Sequence, residues 1–100
     1  MATTSKALFR GAATTSSTTL YTVPSLTTTV VTDILVANTS GSAGTFTLAL
    51  NGVSIGSAVA IGANDTTSIQ LKQVIVATNT ITGLASATSI NFHISGVEIS

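Results

Sequence analysis

Cysteine and tryptophan are absent from this 100-residue chain, proline occurs once, and only 6% of the residues are charged. Each absence narrows the possibilities. Without cysteine no disulfide can brace the fold and no thiolate can hold a metal. The charged residues are Lys6, Arg10, Asp33, Asp65, Lys72 and Glu98, and the formal net charge is zero. That removes the basic field that nucleic-acid binding requires and any attraction to anionic lipid. The longest apolar runs, such as Ile34–Ala37 and Val74–Ala77, fall far short of the ~20 residues of a membrane-spanning helix. The first ten residues contain no apolar stretch of the kind a signal peptide needs. Synthesis in a cytoplasm is therefore expected, with any export following a route without a leader. A free soluble domain keeps about a quarter of its residues charged, which hydrates it and repels its copies. A surface this poor in ions suits a protein packed against neighbours in a large assembly.

What the chain does have is hydroxyl groups and β-branched side chains. About a third of its residues are Ser or Thr. Threonine, valine and isoleucine favour the pleated sheet, and no window repeats apolar residues with the period of a helix. Thr18–Val23 reads as a strand closed by Pro24, whose missing donor suits a strand end. Leu26–Asn38 is apolar on both faces, with Val30, Ile34 and Val36 on one and Val31, Leu35 and Ala37 on the other. That pattern predicts a central strand covered from both sides. Thr45–Asn51 alternates cleanly and runs into Asn51-Gly52, a strong signal for a tight hairpin returning along Val53–Ile61. Thr66–Leu71 is a further strand, and Val74–Ala77 joins Thr80–Thr82 in another, kinked at Asn79. Ser89–Ser100 closes the chain, its alternation interrupted at Gly96. Seven or eight strands at spacings near ten residues predict an all-β fold, an antiparallel sandwich of jelly-roll type.

Residues 1–17 are small and polar apart from Leu8 and Phe9. They read as an extended N-terminal arm or edge strand, preceding a sandwich domain over 18–100. With few partners nearby in sequence, Leu8, Phe9 and the adjoining Arg10 are the candidate contact with a neighbouring subunit.

Candidate chemistry is thin. His93 sits on the polar face of the last strand beside Asn91 and Ser95. A general base or pH switch is conceivable there, and a surface or interface histidine is the simpler reading. Asp33, His93 and a serine would make a hydrolytic triad only if the fold brought them together, and no Gly-x-Ser-x-Gly elbow is present. Neither a phosphate-binding glycine motif nor a calcium loop occurs. Of the four aromatic residues only Tyr21 is a candidate for an exposed sugar-stacking ring. No catalytic residue, metal site or cofactor is predicted. Threonine pairs such as Thr27–Thr29 and Thr45–Thr47 lack the fixed repeat of an ice-binding ladder. Asn38-Thr-Ser40 and Asn64-Asp-Thr66 match the glycosylation sequon and read as turns.

Three segments carry a family resemblance: Thr19-Leu-Tyr-Thr-Val-Pro24, the run from Thr28 to Thr39, and Phe46-Thr-Leu-Ala-Leu-Asn-Gly52. In this order, with Ile94-Ser-Gly-Val-Glu-Ile99 at the end, they resemble small β-sandwich virion proteins of tailed bacteriophages. The resemblance covers about residues 18–100. Thr78-Asn79-Thr80-Ile81 stands where many such proteins carry a more acidic Gly-Asp-Thr-Ile, so no charge or metal role is carried over at that turn. The resemblance implies a non-enzymatic particle component, located in the virion. The expected role is a capsid decoration or cement subunit, homo-oligomeric and trimeric at a local threefold, contacting the major capsid protein. A tail, baseplate or fibre component that binds a receptor or glycan is the alternative.

Overall fold

The computed structural model describes residues 3–100. Eight strands run in order: β1 (Thr3–Ala12), β2 (Thr18–Thr22), β3 (Thr28–Asn38), β4 (Gly44–Leu50), β5 (Val53–Ile61), β6 (Thr66–Ile75), β7 (Thr80–Ala85) and β8 (Ile90–Ile99). They form two four-stranded sheets, ordered β1-β8-β3-β6 and β2-β7-β4-β5, with every pairing antiparallel. The pairing is nested: β4 with β5, β3 with β6, β2 with β7 and β1 with β8. The chain is one long hairpin rolled over itself, which is the jelly-roll sandwich that the strand spacing predicts. Its innermost turn is Asn51-Gly52, with φ of 52° and 75°, the left-handed pair that a type I′ hairpin needs.

The core lies between the sheets. Alternate residues of β4 (Phe46, Leu48, Leu50) face alternate residues of β8 (Ile90, Phe92, Ile94), all buried. Phe46 and Phe92 meet edge to face across the seam, with ring centroids 6.3 Å apart and planes at 73°. Gly83 makes room for this packing. A methyl group there would lie 2.9 Å from Leu48 and 3.2 Å from Phe92.

The structure corrects several sequence expectations. Of the two forms the sequence allows here, arm or edge strand, the segment around Leu8 takes the second: β1 pairs along β8, and a bulge between Ala7 and Phe9 turns Leu8 into the core. In β3 a bulge between Val31 and Asp33 resets the alternation. Val31 is consequently buried and Val30 turns outward, the reverse of the simple parity reading. β3 is central, flanked by β8 and β6. Its outer face, with half-buried Val30 and exposed Leu35, is not covered by any of the described residues. Val74–Ala77 does not continue into Thr80–Thr82. The chain crosses from one sheet to the other between them, and Thr78 takes a φ of 71° in the turn. β7 then runs on to Ala85, past Thr82, where the sequence reading ends the strand.

Gly96 is buried and keeps the alternation of β8. Its absent side chain is what lets β3 approach, because a Cβ there would lie 2.4 Å from the Val30 carbonyl oxygen. We predict that Gly96→Ala destabilises the fold by about 1–3 kcal/mol through overpacking against backbone. Gly41→Ala, with nothing within 4 Å of the added methyl, should leave it near wild type. Urea denaturation at constant slope checks both.

Candidate interaction surface

The candidate contact residues separate in the structure. Leu8 is buried and belongs to the core, and Phe9 packs against that core from the sheet edge. Arg10 alone is exposed, opposite His93 in the β1–β8 ladder. Leu8 and Phe9 therefore find their apolar partners inside their own molecule, which removes the reason for assigning them to a neighbour.

Asp33, His93 and Ser95 do come to one face. Asp33 lies directly opposite Ser95 on neighbouring strands, and His93 is one diagonal step away. No hydrogen bond joins the three side chains, and all stand on the open outer surface of the first sheet. The depression beside Asp33 opens toward Thr32, Gln70, Leu71 and Lys72, not toward His93 or Ser95. It encloses about 410 Å³ where the bulges of β3 and β6 coincide. Among the described residues no group of three or more His, Asp or Glu is placed to hold a metal ion, and no helix could cross a membrane.

Tyr21 is not an exposed ring. It is buried, and its hydroxyl sits in a polar clasp between the sheets. The Tyr21 hydroxyl donates to Glu98 Oε2 and bonds Thr29 Oγ1 at 2.9 Å, while Lys6 Nζ approaches the same carboxylate at 3.4 Å. Four strands thus contribute: β1, β3 and β8 from one sheet and β2 from the other. Burial raises the Tyr21 pKa above its usual value, and the bond to anionic Glu98 raises it further. The clasp was illegible in the sequence, since its members lie up to 92 positions apart.

The exposed apolar side chains form a clearer feature. Leu26 is 92% exposed, Val53 67%, Val74 64% and Val76 55%, with Ile55 and Leu35 less so. All but Leu35 gather at one end. The β2–β3 turn that carries Leu26 lies beside the β6–β7 turn, tied by Thr78 N–H to Val23 O and Val23 N–H to Asn79 O. The β4–β5 hairpin, which leads into Val53, is tied to the same place by Asn51 N–H to Thr80 O. No charged residue lies in 23–28, 50–55 or 73–80. Residue 26 also has a φ of 60°. That region favours glycine or asparagine, and a branched side chain there is strained.

Neither a protein-family model nor a curated protein matches the chain.

The clasp gives a pH prediction. Tyr21 is neutral in the fold and its folded pKa lies above the unfolded value near 10. Its contribution is therefore complete below about pH 10 and is lost as pH rises through the folded value. Tyr21→Phe should flatten that alkaline limb. At neutral pH it should cost about 1–3 kcal/mol, because the fully buried Thr29 hydroxyl loses its partner. Thermal melts of both proteins across neutral and alkaline pH read the two effects together.

Proposed function

We propose that the chain is a structural subunit of a bacteriophage virion, a capsid decoration or cement protein that acts through protein contacts and not through catalysis. One observation carries this reading: the large exposed side chains of an ion-poor protein are aliphatic, and they collect at one end of an elongated body of 45 × 21 × 18 Å. Apolar side chains gathered at one end in this way favour a site of association, whereas apolar residues scattered singly mark nothing. The sandwich supports the role mechanically. Its strands are held by backbone ladders and a close-packed seam, so it can serve as a rigid strut. The segments quoted above that resemble small phage β-sandwich proteins agree with it.

The mechanism is additive. Each subunit adds a contact of modest area across a seam between shell proteins, and no single contact is strong. Release of one does not release the others, so opening the shell requires many to be lost together. The near-absence of charge fits this use. A neutral apolar contact is insensitive to ionic strength, whereas a charged one is screened within about 10 Å at ordinary salt. The burial of Tyr21 removes the ring that a glycan-binding tail role would use.

Immunogold labelling of intact particles of the phage that encodes the chain tests the proposal. Multiple labels over the head are expected. Label confined to the tail would replace decoration with the tail role, and purified particles without label would overturn the virion assignment.

A further inference from the structure

We propose that Asn51 is a site of spontaneous covalent modification. The backbone nitrogen of Gly52 displaces ammonia from the Asn51 side-chain amide, and the tip of the β4–β5 hairpin thereby acquires a carboxylate. The inference holds wherever the subunit resides and does not depend on the proposed function.

The reaction closes a five-membered ring, and it needs an attacking nitrogen that is unhindered and not already bonded. Gly52 offers both. It has no Cβ, nothing lies within 4 Å of where one would stand, and its N–H makes no hydrogen bond among the described residues. Asn51 is exposed, so its amide is open to water and base. The other asparagines lack these features. Asn38, Asn64, Asn79 and Asn91 precede Thr39, Asp65, Thr80 and Phe92, whose side chains crowd the attacking nitrogen. Asn38 is also buried, its amide nitrogen donating to Ser42 O at 2.8 Å and to Gly62 O at 3.1 Å.

The step needs no reagent except water. The Gly52 N–H gives its proton to solvent base, and the nitrogen lone pair attacks Asn51 Cγ. The bond from Cγ to the side-chain nitrogen breaks, and ammonia leaves with a proton from water. One water then opens the cyclic imide. Cleavage of the new N–Cγ bond restores the main chain and leaves aspartate at position 51. Cleavage of the original peptide bond leaves isoaspartate, with the main chain rerouted through the side chain. In sum, an amide and water become a carboxylate and ammonium.

The fold sets the rate. Asn51 N–H is held by Thr80 O at 2.8 Å, and Asn51 and Gly52 occupy the left-handed pair of the turn. Ring closure therefore requires the tip to swing out. The ladder around it permits this. β5 is a sheet edge with mostly exposed side chains, and its pairing with β4 shifts register between Phe46 and Leu48 and again between Leu48 and Ala49. Such a segment opens locally while the rest of the domain stays folded. A reaction that waited for global unfolding would run at least ~1,000-fold slower than in denaturant. Local opening keeps it within about tenfold. The product puts a negative charge where residues 50–55 hold none, and isoaspartate lengthens a two-residue turn that has no slack.

The test incubates the purified full chain at neutral and mildly alkaline pH, folded and in urea. Anion exchange reads the added charge, and tandem mass spectrometry locates it. An acidic species is expected, carrying aspartate and isoaspartate at position 51 and forming faster at the higher pH. Its rate in the folded chain should lie within about tenfold of that in urea. Asn51→Gly, which keeps both turn positions free to take a positive φ, should yield no such species. A folded chain that stays unmodified while the urea sample converts would overturn the inference. So would an acidic species that maps to another asparagine, or one that persists in Asn51→Gly.

Discussion

The apolar seam between the two sheets is the constraint from which the rest of the structure follows. With no disulfide and one ion pair among the described residues, the fold rests on burying one face of each sheet against the other. Phe46, Leu48 and Ile81 on one side meet Ile34, Phe92 and Ile94 on the other, each essentially inaccessible to water. Nested pairing makes this possible in so short a chain, because every strand finds a partner from the opposite half of the sequence. It also leaves four edges, β1, β2, β5 and β6, of which the last two carry three of the six large exposed aliphatic side chains, Val53, Ile55 and Val74.

The polar residues follow from the same constraint. Strands need a hydrated outer face, and here hydroxyls supply it in place of charges. Some threonine hydroxyls bond backbone groups of neighbouring segments, as when Thr39 donates to Ser89 O at 2.8 Å or Thr47 accepts from Ala58 N–H at 2.9 Å. The one concentrated polar site, Tyr21 with Thr29, Glu98 and Lys6, ties the first two strands to the last at the same end as the apolar corner. That end is therefore fixed from within, which allows its outer side chains to present a defined shape.

Much of the fold was legible in the sequence. The Asn51-Gly52 turn, the alternation of β4 and the bounds of β5 follow from local chemistry, and local chemistry governs them. The failures share a cause. A bulge adds one residue and inverts every later parity, so Val30 and Val31 exchanged faces. β1 left arm and edge strand undecided because an edge strand with small residues needs few apolar positions, and Leu8 reaches the core only through another bulge. The break between β6 and β7 was hidden because its valines suit a strand, while Thr78 supplies the turn without a glycine. The interaction surface was less legible still. Leu26, Val74 and Val76 look like core residues in a sequence, and only the tertiary arrangement shows that water, or another protein, faces them. Leu26 itself reads as the first residue of a strand, whereas β3 begins at Thr28 and leaves Leu26 in the turn before it.

The account depends on the aliphatic corner being covered by protein in the working state of the molecule. Amide hydrogen exchange of the free chain and of the particle-bound chain addresses this directly, since it reads solvent access residue by residue. The account predicts that the amides around Leu26, Val53–Ile55 and Val74–Val76 exchange more slowly in the particle-bound chain, while those of β1 and β2 do not change. Equal exchange in the free and the bound chain throughout that corner would contradict it.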